Sequence, residues 1–399
     1  MEKVWDLVIV GGGLGGLALA AELAAPEFKV LSILVLERRR CYERDRTWSY
    51  WTSAKHRYSH LERCSWSEWT VKLGDVVHSQ FSHKNRYASL DADAFYNDAT
   101  KAIGGCDHVS LRMNCCVSEM QSFPEADTLI TLDQGETVRA RRVMDARPAQ
   151  QTASGALVQQ FAGWEIQLKR DVFDADKVQL MNLEVDRRGL HFFYVLPYSP
   201  RCALVESTWI SPAQWHPDYE AELTSYIARL CNNADFSVSY RESGVLGLQV
   251  DDATAAKFVG LGRRGGTLRA STGYAFLDTM VHATQLARSL AKALRAGTLD
   301  AWQPAAFQRD TTETWMDAVF LDVLKSDWER APNYFMQLFD AIPVDDTVAF
   351  LTGRANWHQR LRVMRSLPLR PFARAAMQSS ALGRWLGEKS QLRPHSDPG

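Results

Sequence analysis

Residues 6–37 read DLVIVGGGLGGLALAAELAAPEFKVLSILVLE, and this stretch decides the fold. Leu7 to Val10 form a short apolar run of the kind found in strands buried on both faces. Gly11, Gly13 and Gly16 follow in G-x-G-x-x-G spacing and open a helix expected over Leu14 to Ala24. Each glycine has its own reason: a tight turn at Gly11, close approach of a pyrophosphate at Gly13, and close packing of helix on sheet at Gly16. The free N–H groups and positive dipole end of the helix point at the phosphates. A second strand, Leu31 to Leu36, ends on Glu37, where an acid about 20 residues past the turn accepts ribose hydroxyls. A carboxylate there disfavours the 2′-phosphate of NADP. The motif serves FAD and NAD alike.

Working outward, Arg38, Arg39, Arg40, Arg44 and Arg46 form a basic cluster ahead of Thr47-Trp48-Ser49-Tyr50-Trp51. On one reading Arg46 contacts phosphate and Trp48 and Trp51 line the neighbouring cavity; on the other this is a solvated loop with core tryptophans. Arg86 precedes a helix expected to run to about Ile103, with Asp91 as N-cap. Strands are expected at His108 to Arg112, Cys115 to Met120, Thr128 to Leu132 and Thr137 to Ala140, and a buried strand ends at Asp145.

Beyond residue 150 the pattern becomes alternating. Strands are expected at Leu157 to Phe161, Trp164 to Leu168, His191 to Leu196 and Cys202 to Trp209, forming an antiparallel sheet, with an amphipathic helix at Asp218 to Asn232. Thr272-Gly273-Tyr274 then opens a long helix to about Ala296, and the chain is mostly helical from Trp302. The expected fold is α/β: a discontinuous Rossmann-type domain with a doubly wound parallel sheet (1–150 and 240–300), an antiparallel substrate sheet (151–239) and a helical C-terminal region (301–399).

The 399 residues carry a net charge of −1, which argues against a general nucleic-acid binder. No leader and no run of about 18 apolar residues is visible, so a cytoplasmic protein is expected. The seven cysteines include no C-x-x-C pair, and His56 and His60 lack the glutamate of a zinc-protease helix, so neither disulfides nor a metal site are expected.

The series Arg46-Thr-Trp48-Ser-Tyr50, Arg86-Tyr87, Val143-Met-Asp145-Ala-Arg147, Phe192-Phe-Tyr194-Val-Leu196-Pro197, Leu204-Val-Glu206-Ser-Thr208, Thr272-Gly273-Tyr274, Phe320-Leu and Leu351-Thr-Gly353-Arg354, read with the glycine fingerprint, resembles the bacterial lycopene β-cyclases over nearly the whole chain. The resemblance implies a FAD enzyme, active with reduced flavin, that closes linear ends of lycopene into β-ionone rings without net redox change. It implies Glu206 as the catalytic acid. FAD contacts are expected from Gly11, Gly13, Gly16, Glu37, Arg46, Arg86, Asp145, Thr272, Gly273 and Tyr274, and a substrate pocket from Trp48, Tyr194 and Trp209. A glutamate among Leu204, Val205 and Trp209 would keep its proton by desolvation, and aromatic faces, including Phe193, would stabilise a cation. Alternation puts Glu206 on one strand face with Leu204 and Thr208, and Val205, Ser207 and Trp209 on the other. The alternative for Glu206 is a structural pair with an arginine such as Arg201.

Three departures stand out. Ser207 takes the place of a second acid, Asp145-Ala-Arg147-Pro148 replaces Asp-Gly-Arg-Gly, and Arg269-Ala270 precedes Thr272. Competing readings are a FAD-dependent prenyl reductase, monooxygenase or halogenase, or a flavoprotein that only binds a polyene. No second dinucleotide fingerprint appears, so NAD(P)H as reductant would bind transiently. The C-terminal arginines, from Arg354 through Arg384, stand among Leu361, Leu367, Leu369, Phe372, Leu382, Trp385 and Leu386. That is the composition either of an interfacial surface for peripheral contact with the inner face of the cell membrane or of a basic helical cap.

Overall fold

The computed structural model describes residues 3–123, 127–148, 156–248 and 258–378. Its first body is a parallel sheet of five strands in the order 259–260, 143–145, 7–10, 33–36, 109–112. The apolar run Leu7–Val10 is buried on both faces. Leu7 and Ile9 pack with helices α1 (Leu14–Leu23), α2 (Ala92–Gly104) and α4 (Phe276–Arg295), α3 being Tyr219–Leu230 in the second body. Val8 and Val10 face Val117, Ile130 and Val138 instead. The second face of the parallel sheet is therefore covered by a small four-stranded sheet, in the order 4–5, 137–140, 128–132, 117–121, where a doubly wound domain has helices. Asp91 holds the N-cap position of α2, but its carboxylate turns away to Arg44 and Arg63.

The second body is a seven-stranded sheet in the order 236–247, 157–168, 202–212, 190–199, 177–184, 68–73, 76–81. It recruits residues 68–81 from the first part of the chain and runs on to Gly247, beyond the 151–239 span of the sequence reading. The only parallel pair among the described strands of this sheet is 177–184 with 68–73. Two strands expected at Leu157 to Phe161 and Trp164 to Leu168 are one, Leu157–Leu168, running straight through Gly163. A Cβ on Gly163 would come within 3.3 Å of both Glu242 Cγ and Leu204 Cδ1, so glycine here serves the close approach of neighbouring side chains and does not end the strand.

Five helices, α5 (Thr311–Ser326), α6 (Ala331–Ala341), α7 (Val344–Leu351), α8 (Trp357–Ser366) and α9 (Leu369–Gln378), lie over one face of this sheet. Leu321, Leu324, Leu338 and Phe339 join Leu157, Leu180, Leu196 and Leu204 in one core, each such side chain contributing about 1.5–3 kcal/mol by leaving water. A buried ion pair fixes the cap: Arg269 Nη2 lies 3.1 Å from Asp317 Oδ1, which also accepts from Ser271 Oγ at 2.7 Å. The opposite face of the sheet is covered by α3.

Candidate active site

Between the sheet and α5–α9 lies a cavity of about 380 Å³. Its walls are aromatic and aliphatic, with Phe192, Trp315, Phe320, Phe335 and Phe350 among them, and its few polar groups include Glu206, Thr208, Gln159 and Thr272. Strand alternation delivers this. In 202–212, Glu206, Thr208 and Ile210 line the cavity, whereas Val205 packs with α3 and Ser207 and Trp209 bond Glu222 of α3.

Glu206 is the acidic group at the sheet wall. It is half-buried and lines the cavity, and Thr208 Oγ1 donates to its Oε1 at 2.5 Å. Burial first, and the charge of Glu242 second, push its carboxyl up to about 8 against Thr208's opposing bond. It therefore holds a proton at neutral pH. Arg201, the structural alternative, pairs with Asp171 instead. Tyr194, the cross-strand neighbour of Glu206, lines the cavity and donates to Tyr87 Oη at 2.9 Å.

At the other body the glycine turn has the shape its spacing implies. Gly11 has φ +104°, and a Cβ on Gly16 would sit 1.9 Å from Gly11 O. A Cβ on Gly15 would meet Gly262 N at 2.7 Å, so α1 abuts the turn Gly262–Gly265. Arg263 of that turn has a buried Nε with no partner among the described residues. Burial, then the nearby charge of Arg46, hold its guanidinium below its ordinary value. An anion beside α1 would relieve both, so these residues fit a dinucleotide pyrophosphate. Glu37 lies at the strand end, where burial would raise its pKa but Arg39 and the Gly12 N–H outweigh it and hold it low. Gly12 N donates to Oε2 at 2.7 Å and Arg39 N and Nε donate to Oε1 at 2.8 and 3.0 Å. A ribose reaching Glu37 would take over acceptor sites that Arg39 fills.

The remaining sequence-selected residues divide. Thr272 and Tyr274 line the cavity, and Gly273, at φ +72°, has no room for a side chain because Gln159 Oε1 would lie 2.4 Å from its Cβ. Arg46 pairs with Asp45 at 3.0 Å. Arg86 is committed to Glu62, which also meets His56 at 3.2 Å. Asp145 is held by Arg147 at 2.8 Å and Arg264 at 3.5 Å. Trp48 is outside the cavity, packed on Phe95, Tyr96 and Phe276. Trp209 is on the wrong face of its strand for the pocket, as alternation required: it is 1% exposed and stacks on His191 at 4.2 Å. Phe193, on that same side, stacks on Tyr226. There His191 Nε2 approaches Ser207 Oγ at 3.1 Å, and Ser207 donates to Glu222 at 2.6 Å. Ser207 is 0% exposed and burial lowers the His191 pKa to about 4, so this trio is a packed polar network and no hydrolytic triad.

Sequence reasoning placed Thr208 on the face of Glu206 but gave it no role, and it missed Glu242, Gly163 and most of the aromatic wall on α5–α7. Glu242 belongs to strand 236–247, which the sequence reading did not single out although Phe236, Val238 and Tyr240 alternate there with Ser237, Ser239 and Arg241; the wall was foreshadowed only by Phe320 and Leu351.

A Rossmann-type body joined to an antiparallel sheet and a helical cap, with a dry cavity between sheet and cap, is the architecture of flavin-dependent enzymes. The flavin-dependent brominase Bmp2 superposes with TM-score 0.61 at 15% identity over 93% of this chain and 100% of that one. A geranylgeranyl bacteriochlorophyll reductase-like protein from Thermoplasma acidophilum gives 0.55 at 13% over 97% and 100%. An L111Y variant of the halogenase PltM in complex with FAD gives 0.54 at 14% over 98% and 97%. These similarities establish the fold. The model of the lycopene cyclase protein family matches residues 6–377, and the chain belongs to that family. No curated protein sequence matches.

Proposed function

We propose that this chain is a lycopene β-cyclase that uses reduced FAD without net electron transfer. The observation that carries the reading is Glu206, a carboxyl whose pKa burial pushes well above its ordinary value, set in the wall of an apolar, aromatic cavity that Thr272 and Tyr274 also line. Glu206 delivers its proton to a terminal alkene of the polyene, forming a C–H bond and leaving a carbocation. The neighbouring double bond closes the ring by supplying its π pair, and the cation moves to the ring. The Glu206 carboxylate then takes a proton from the adjacent ring carbon, restoring the acid and giving an isomer of the substrate. Thr208 orients the carboxyl, and aromatic faces such as Phe192 and Tyr194 stabilise the cation at about 0.5–2 kcal/mol each. The dry wall excludes the water that would capture it.

Gly11, Gly13 and Gly16, with Glu37, Arg46 and Arg263, would hold the pyrophosphate and ribose of FAD, and Thr272 and Gly273 its ring end. Reduced flavin would supply negative charge beside the cation. Transient NAD(P)H or another protein would supply its electrons.

The substrate arrives from a bilayer. Leu369 both lines the cavity and is 78% exposed, so the mouth opens at α9. On α8 and α9 Trp357 and Met377 are also exposed, at 53% and 74%, as are Arg365, Arg370 and Arg374. Exposed apolar and basic side chains together on these two helices suit anionic lipid. Arg360 and Arg362 belong to the cap itself, paired with Asp310, Glu313 and Asp346. Leu382, Arg384, Trp385 and Leu386 lie outside the described residues. No helix among the described residues is long and apolar enough to cross a membrane.

The test is product analysis after presenting lycopene in liposomes to purified, flavin-reduced protein under nitrogen. A blue-shifted product of unchanged mass supports cyclisation. A gain of hydrogen or oxygen would replace the reading with a reductase or monooxygenase.

A further inference from the structure

Four neighbouring strands place Tyr194, Glu206, Gly163 and Glu242 in one cross-strand row. Residues in register point to the same face of a sheet. The contacts around Gly163 show it directly: a Cβ there would lie 3.6 Å from Glu206 Cβ and 3.3 Å from Glu242 Cγ. Two glutamates thus flank a residue without a side chain, and no side chain of the row stands between them. Glu242 is 7% exposed and is not part of the cavity wall, so it stands behind Glu206 as seen by a substrate.

We propose that Glu242, facing Glu206 across the bare Cα of Gly163, is a positioning residue for the acid: its negative charge keeps the proton on Glu206. This rests on the reading of Glu206 as the proton donor. Two like charges in one buried site cannot both form cheaply, so the pair retains one proton near neutrality. Its partition follows from the donors present. Tyr240 Oη and Thr47 Oγ1 both donate to Glu242 Oε2, at 2.9 and 3.0 Å, whereas Glu206 receives Thr208 alone. The charged groups facing Glu242 from neighbouring segments are Arg44, which favours its ionised form, and Asp91, which opposes it. Arg44 is itself anchored on Glu165 at 2.8 Å, so its charge is fixed in place. Burial pushes Glu242 up as well, to about 7, below the value for Glu206. Ser207 leaves no acid beside Glu206 along the chain. Glu242 provides the second carboxylate across the sheet.

The experiment is a pH titration of protein carrying ¹³C-labelled glutamate side chains, with the Glu206 resonance assigned by its loss in Glu206→Gln. The expected result is a high midpoint in the wild type that falls by about one pH unit in Glu242→Gln. Thr47→Val, which leaves Glu242 in place but removes one donor, should move it the same way by less. An unchanged midpoint in both variants, each folded, would overturn the proposal. In turnover, the alkaline limb of cyclisation should shift downward in Glu242→Gln by the same amount as the resonance. A uniform loss of rate with no shift of the limb would make Glu242 structural. Product formation by Glu206→Gln is a separate outcome: it would overturn the acid reading, and with it the catalytic sense of Glu242, whatever the titration shows.

Discussion

Replacing Glu206 by Gln should abolish product formation and, at the same time, stabilise the protein in a pH-dependent way. The folded-state pKa of Glu206 is raised to about 8 from the ordinary 4.5. A raised pKa means that the folded protein holds a proton the unfolded chain gives up. Its contribution to stability is fully present below 4.5 and is lost as pH rises towards about 8. Each unit of difference corresponds to about 1.4 kcal/mol. Between about pH 5 and pH 7 the wild type should therefore lose about 2.5 kcal/mol that Glu206→Gln, which cannot ionise, does not lose. The assay is urea unfolding of both proteins at a series of pH values. The expected result is a gap in unfolding free energy that widens with pH in favour of Glu206→Gln. A gap that stays constant across this range would refute the reasoning, because it would mean that Glu206 ionises as freely in the fold as in water.

Three further outcomes follow from the same geometry. Gly16→Ala, whose Cβ would lie 1.9 Å from Gly11 O, should lower FAD affinity at least about tenfold, read by flavin fluorescence on reconstitution. Arg269→Ala strips Asp317 of its buried partner and should cost about 3–5 kcal/mol in chemical denaturation, more than any exposed arginine such as Arg187. Leu369→Glu should reduce co-sedimentation with anionic vesicles, and wild-type binding should weaken as salt is raised across the Debye range.

The nucleotide-binding half was legible because its signals are local. The strand Leu7–Val10, the turn at Gly11 and the helix Leu14–Leu23 follow within a few residues, and Gly16 answers a steric demand set by Gly11 five residues before it. The family resemblance rested on similarly short motifs, and the match over residues 6–377 agrees with it. Glu206 was singled out by the resemblance, and its place beside Leu204, Val205 and Trp209 agreed with an acid whose pKa burial raises. Strand alternation already separated it from Trp209, and the choice of Trp209 for the pocket failed against that argument. What the sequence left hidden was long-range. Gly163 read as a break between two strands because its neighbours Glu206 and Glu242 come from strands 43 and 79 residues further on (206 − 163 and 242 − 163). Residues 68–81 joined the large sheet through a parallel pairing with 177–184 that has no local signature. The aromatic wall of α5–α7 came into view only when those helices were laid over the sheet, since an amphipathic helix discloses which face it buries but not what that face meets.

The central claim is that a proton from Glu206 starts the reaction and that another leaves the ring, and isotope incorporation tests it most directly. Cyclisation is run in D₂O with flavin-reduced protein and lycopene in liposomes, and the product mass is compared with that formed in H₂O. Proton delivery to the alkene predicts one deuterium for the first ring closed, because a C–D bond forms as a C–H bond breaks, with none incorporated by Glu206→Gln. A ring-closed product that carries no deuterium would contradict the account.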